Sequence, residues 1–206
     1  MNKVCIVTGA SRGMGYGIAK VLAEEEGATV YATARSKKAL DDLSASTKDS
    51  LGVIHPCVLD QADDGAVERF VLNVKAKEKQ IDLLVNSAYG GLSAMAPHFG
   101  KPFWERPVSV FDASMNIGLR SAFVMSKFVA PHMVENKSGL MVQVSSFGGH
   151  GYLFDVGYGV GKAGLDRLSA DMAAELTTHG VSSVTLYPCL LYTSDAADDT
   201  PCVDLG

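Results

Sequence analysis

The chain has no basic run longer than Lys37-Lys38. Its 18 Lys and Arg are scattered among 23 Asp and Glu, and the formal net charge is -5. A nucleic-acid partner would require a concentrated basic surface, so the expected ligand is a small molecule. No apolar stretch approaches the ~20 residues that a bilayer-spanning helix needs. The N-terminus enters an apolar, strand-like run at Val4 without the charged-then-apolar pattern of a secretion signal, and the expected location is cytoplasmic. Cysteine is sparse. Cys5, Cys57, Cys189 and Cys202 show neither metal-ligand spacing nor a disulfide framework, so buried thiols and no metal site are expected. Internal repeats and low-complexity tracts are absent upstream of Cys189. With 47% hydrophobic and 20% charged residues, the chain of 206 has enough apolar material for one core.

What is present is an alternation. Strand-like runs at Val4 to Val7, Ala28 to Thr33, Val53 to Leu59, Leu83 to Val85, Leu140 to Val144 and Val181 to Leu186 are separated by helix-like segments. The helices begin near Gly13, Lys37, Asp63, Val110 and Tyr158. This order predicts an α/β fold: a doubly wound parallel sheet with helices on both faces and ligands at the carboxyl ends of the strands.

Every chemically suggestive motif falls at such an end. Val4-Cys5-Ile6-Val7 passes into Thr8-Gly9-Ala10-Ser11-Arg12-Gly13-Met14-Gly15, and helical spacing follows. Between strand and helix, Gly9 permits a tight turn, Gly13 lets backbone approach a pyrophosphate, and Gly15 allows close helix-to-strand packing. The helix N-terminus then faces the phosphates. Later, Tyr158-Gly159-Val160-Gly161-Lys162 stands at the head of a helical run. A phenol titrates near ~10 in water, and an ammonium one helical turn away favours the phenolate, so the pair is suited to proton transfer near neutrality.

The Gly-x-x-x-Gly-x-Gly spacing differs from the common dinucleotide pattern. Together with Tyr158-x-x-x-Lys162, the entrance resembles the short-chain dehydrogenase/reductase family, over nearly everything from Val4 to Pro188. Phe103-Trp104-Glu105-Arg106-Pro107 and Asn116-Ile117-Gly118-Leu119-Arg120 are similar to the subgroup called short-chain dehydrogenase/reductase member 1. The resemblance implies an oxidoreductase that moves a hydride between NADP(H) or NAD(H) and a carbonyl or alcohol.

The resemblance also implies site residues. Gly9, Ser11, Arg12, Gly13, Met14, Gly15, Asp60, Asn86, Ala88 and Pro188 would border the cofactor, with Asp60 at the adenine. Asn86-Ser87-Ala88-Tyr89-Gly90 looks like the family's Asn-Asn-Ala-Gly, with Ser87 in place of the second asparagine and Tyr89 where glycine is usual. Asn116 would hold a water in a proton relay from within a helix running from Phe111 to Met133. Counting forward from the fifth strand gives Ser146 as the catalytic serine, and counting thirteen back from Tyr158 gives Ser145; the subgroup's shorter loop selects Ser146. Ser146 and Tyr158 would bind the substrate oxygen, and Lys162 would hold the nicotinamide ribose. Neither serine lies in a Gly-x-Ser-x-Gly elbow, which argues against a hydrolase.

Cofactor choice follows from charge. An acidic residue at the end of the second strand would bond ribose hydroxyls, but that strand ends Ala32-Thr33-Ala34-Arg35-Ser36. Arg35 and Arg12 suit the phosphate of NADP(H), while NAD(H) stays possible. The segment from Gly90 to Ser109, rich in Pro and aromatics, reads as a long irregular wall of the substrate site. The helices Phe111 to Met133 and Tyr158 to Leu176 pair with their copies in related proteins, implying a homo-oligomer.

From Cys189 the pattern changes. Cys189 to Asp199 resembles a translated sequencing adapter, so residues 1–188 are expected to form the domain and 189–206 a non-native or disordered tail, with the usual last strand lacking. Two other classes compete: a nucleotide-binding sensor without turnover, and an inactive fragment of a reductase.

Overall fold

Runs of β-branched and small apolar residues with no charge between them can be buried on both faces, and the two strands that start the chain show this. In the computed structural model, which describes residues 3–188, every residue of β1 (Val4–Thr8) and β2 (Thr29–Ala34) is buried. Strands β3 (Val53–Val58), β4 (Leu83–Asn86), β5 (Gly139–Val144) and β6 (Val181–Leu186) complete a parallel sheet in the order β3-β2-β1-β4-β5-β6. The expected strands all form, within a residue or two of their predicted ends. Pro56 sits in β3, an edge strand, where the missing N–H is tolerated.

Two cores lie on opposite faces. On one, α1 (Gly13–Glu24) and α2 (Lys37–Ser46) pack Ala19, Ala23, Leu40 and Leu43 against Val7, Val30 and Ile54. On the other, α3 (Asp64–Lys77) and α6 (Ser121–Asn136) pack Val67, Val71, Met125 and Met133 against Ile6, Leu84 and Met141. Helix α7 (Val156–Leu176) lies on this second face and contributes Leu176, and buried Ser169 of α7 is hydrogen-bonded to Ser183 of β6 at 3.0 Å. Alternation along paired β5 and β6 puts Leu140, Val142, Val184 and Leu186 on the α1 side, where Leu140, Val184 and Leu186 are exposed among the described residues.

Strand order reverses at β1, whose neighbours are β2 and β4, and this leaves a crevice at their carboxyl ends. Thr8 closes its base: the Oγ1 accepts from the backbone N–H of Ser87 at 3.0 Å and of Ala88 at 3.1 Å.

Two expectations are corrected. The segment after β4 is not irregular throughout; it contains α4 (Gly91–Met95) and short 3-10 turns at Ala96–His98 and Phe103–Glu105. Nor is there one helix from Phe111 to Met133. Helix α5 (Val108–Ser114) and α6 are separated by a widened turn, Met115–Arg120, in which Ile117 (ψ 75°) and Gly118 (φ 175°, ψ -75°) leave helical geometry. The Ile117 carbonyl thereby leaves the helical ladder and accepts the Gly90 N–H at 2.6 Å. The tail expected at Cys189–Gly206 lies outside the described residues.

Candidate active site

A cleft of about 1390 Å³ runs along the carboxyl ends of the strands. One end of its lining includes Gly9, Ser11, Arg12, Gly13, Met14, Gly15, Arg35, Asp60 and Ala88, and the other includes Ser145, Ser146, Tyr158, Lys162 and Pro188. The glycine turn works by space. Gly9 has φ +70°, and a Cβ there would lie 2.7 Å from the Ala88 Cα; a Cβ on Gly15 would lie 2.6 Å from the Gly9 carbonyl oxygen. Gly13, at φ +58°, has nothing within 4 Å of its would-be Cβ, so its outer side is open to the cleft.

Helix α1 starts without a side-chain cap, its N-cap being Arg12. Helices α2, α3 and α7 are instead capped by Ser36, Asp63 and Asp155, which accept from Ala39, Ala66 and Tyr158 N–H. First-turn N–H groups without a cap, at the positive end of a helix and facing a cleft, suit an anion. The residues present therefore fit a dinucleotide pyrophosphate.

At the other end, the Tyr158 hydroxyl donates to Ser146 Oγ at 2.8 Å. Ser145 is turned away, buried, and donates to the Lys162 carbonyl at 3.2 Å. Gly148 makes room for the phenol, since a Cβ there would overlap the Tyr158 ring. Lys162 is buried and its Nζ donates to the Val144 carbonyl at 2.8 Å. Burial lowers its pKa from 10.5 to about 8, with Asp166 partly opposing. Because the folded value lies below the unfolded one, this charge destabilises the fold fully below about 8. The penalty fades as pH rises from about 8 towards 10.5.

Two predicted site residues are placed elsewhere. Asn86 is buried with its amide donating to Ser126 Oγ at 3.0 Å and Gln143 Oε1 at 3.1 Å, because its side chain alternates onto the α6 face of β4. Asn116 is exposed and does not line the cleft; Ala113 and Ile117 of the same segment do. Its backbone carbonyl instead accepts the Ser121 N–H across the widened turn. Asp60 lines the cleft and also accepts the Ala62 N–H at 3.0 Å. Phe103 and Trp104, expected at the substrate wall, are 63% and 72% exposed on the outside; from that segment the cleft receives Gly90 and Leu92.

Three contributors escaped the sequence reading. Tyr89 enters the cleft wall with its hydroxyl 3.0 Å from Ser114 Oγ. His150 Nε2 lies 3.2 Å from the Tyr187 hydroxyl, both beside the cleft. Asp155 accepts the Tyr158 N–H at 2.6 Å and pairs with Arg106 Nη1 at 2.9 Å, off the hydrogen-bonding direction, the two side chains being only 3% and 7% exposed. An Asp three residues before a helix-borne Tyr is a legible cap signal; its buried arginine partner is not.

A sequence profile of the short chain dehydrogenase family matches residues 3–201. The chain belongs to the short-chain dehydrogenase family. It is 44% identical over 209 residues to mouse dehydrogenase/reductase SDR family member 1, covering 97% of this chain and 66% of that protein. This short-chain dehydrogenase chain thus spans less than two thirds of that relative's length. Among solved structures, a metagenomic short-chain oxidoreductase in complex with NADP is similar with a TM-score of 0.81 at 30% identity, covering 90% of this chain and 81% of that one. NAD+-bound xylitol dehydrogenase is similar with a TM-score of 0.82 at 27% identity, covering 90% and 69%. No helix among the described residues is long and apolar enough to cross a membrane.

Proposed function

We propose that this chain carries the nucleotide-binding and proton-transfer parts of an NADP(H)-dependent reductase of small carbonyl compounds. The observation that carries the reading is the 2.8 Å hydrogen bond from Tyr158 to Ser146 beside buried Lys162, in the same cleft as an uncapped glycine-turn helix. A nicotinamide cofactor, when bound, supplies the hydride for the carbonyl carbon.

Ser146 Oγ and Tyr158 Oη converge on one point, where they would hold the substrate oxygen. Tyr158 gives its proton to that oxygen as negative charge develops, and Ser146 donates a second hydrogen bond. Lys162 stabilises the resulting phenolate and would bind ribose hydroxyls of the cofactor. Ser145 supports Lys162 through the Lys162 backbone. Arg12 and Arg35 border the opposite end without a neighbouring carboxylate at the β2 end, which favours the extra phosphate of NADP(H). One structural relative binds NADP and another binds NAD+, so the preference for NADP(H) over NAD(H) rests on Arg12 and Arg35.

Self-association belongs to the same reading. Phe111, Phe123, Val156 and Val160 are exposed apolar residues on α5, α6 and α7, and a second copy would cover them. Light scattering at micromolar concentration should give more than a monomer.

The deciding experiment is NADPH titration by nucleotide fluorescence, followed by NADPH oxidation with a panel of aldehydes, ketones and quinones. Binding with turnover that disappears in Tyr158→Phe is the expected result. Binding without turnover on any of them would favour a sensor or a catalytically incomplete fragment.

A further inference from the structure

Tyr89 stands where the family pattern has glycine, and the surrounding residues are shaped around it. Its hydroxyl meets Ser114 Oγ at 3.0 Å, and Ser114, fully buried, also reaches the Val110 carbonyl at 3.4 Å. A Cβ on Gly91 would overlap the Tyr89 hydroxyl, and one on Gly118 would lie 3.1 Å from the ring. Gly118 is also where the α5–α6 connection leaves helical geometry. The ring is therefore held by a serine anchor and two gaps that side chains would close.

What the ring then touches is the proton-transfer pair. Its centroid is 5.1 Å from Lys162 Nζ, within cation–π range, and it meets Tyr158 edge-on at 5.6 Å and 88°. The Tyr158 ring lies 5.7 Å from the same ammonium. Lys162 is buried and, among the described residues, its three N–H donors make one hydrogen bond, to the Val144 carbonyl. A π face stabilises such a charge without adding a counter-ion.

We infer that Tyr89 is a positioning residue for Lys162: its ring face holds the ammonium against the cleft wall, while its edge braces Tyr158. The inference rests on the reading of Lys162 and Tyr158 as the proton-transfer pair, and it adds a group outside the Ser146, Tyr158 and Lys162 set. Removing the ring would make the buried ammonium harder to keep. Other groups bearing on Lys162 are Tyr158 and Asp166 from α7, while Asp155 at the helix start bears on Tyr89; His150 and Tyr187, from the loops after β5 and β6, cluster with Asp166. Only the Tyr89 contribution is changed by the variants below.

The test is the pH titration of the Lys162 side-chain carbon signal by NMR in lysine-labelled protein, with the resonance identified by its loss in Lys162→Met. Tyr89→Phe keeps the ring and should titrate as the parent does. Tyr89→Leu fills similar space without a π face, and its proton dissociation constant at Lys162 should rise about tenfold, the size expected for a desolvated cation–π contact. Progressive ring fluorination of phenylalanine at position 89 weakens the π face at nearly constant shape. It should raise the constant stepwise, and this series decides the matter should Tyr89→Leu fail to fold. A flat fluorination series, or Leu titrating with the parent, would overturn the inference. NADPH oxidation by the parent is read separately: its absence with an intact NMR trend would sink the catalytic reading and leave the Tyr89–Lys162 interaction standing.

Discussion

Helices α1 and α7 both begin at the carboxyl edge of the sheet, and their first turns are treated in opposite ways. Helix α1 has a glycine-rich approach and no side-chain cap, and its front is open cleft. Helix α7 is closed by Asp155, itself locked to buried Arg106, and it presents the side chains of Tyr158 and Lys162. An open helix start offers backbone N–H groups to a ligand; a capped one spends them on rigidity and offers side chains instead. Damage to the first region should come from adding atoms, and damage to the second from removing them.

The largest expected effect lies at α7. Tyr158→Phe deletes one hydroxyl and should lower kcat for carbonyl reduction by about 10²–10⁴-fold, the usual worth of a positioned general acid, with NADPH affinity nearly unchanged. Retained turnover would place the acid elsewhere. Asp155→Ala removes a cap and strands a buried guanidinium, so urea denaturation should show a loss of roughly 3–5 kcal/mol. Asp155→Asn, which can still cap, should recover part of it.

Helix α1 gives the reciprocal experiment. Arg12→Asp supplies the missing N-cap, so the free protein should gain up to about 1 kcal/mol, while NADPH affinity falls roughly 10–100-fold through lost charge and occupied N–H groups. Loss of both stability and binding would mean that the turn, not the missing cap, matters. A smaller effect is expected for Arg35→Ala, which should narrow the preference for NADPH over NADH by about tenfold. Smallest is a pH effect: Lys162 in the free protein loses its proton as pH rises through about 8, so NADPH affinity should weaken above that value and flatten below it. Isothermal titration from pH 6 to 9 reads this directly, and the slope should vanish in Lys162→Met.

Much of this was written locally. The alternation of apolar runs named every strand: β1 and β2, buried on both faces, leave uncharged runs, and the edge strands β3 and β6 keep apolar residues among exposed ones. The glycine turn and the Tyr158-x-x-x-Lys162 spacing were legible for a similar reason, since each is set by one turn of backbone. Legibility ended where chain segments distant in sequence meet. Asn86 has the right position at a strand end, but its amide reaches Ser126 and Gln143 rather than the cleft. Asn116 falls beside a helix break whose exit depends on Gly90 from another loop. Between Ser145 and Ser146, counting left two answers and the resemblance chose Ser146; the Tyr158 hydroxyl donates to Ser146, and Ser145 donates to the Lys162 carbonyl.

The sequence by itself therefore determined the parallel sheet, the anion-ready start of α1, and the pairing of a phenol with an ammonium, all properties of short-range periodicity and backbone geometry. Only the tertiary structure decided which serine faces the phenol, that Arg106 locks the cap of α7, and that Tyr89 covers Lys162 with its ring. Those contacts join residues 12 to 73 positions apart, and their energies depend on burial and mutual orientation, which no local pattern encodes.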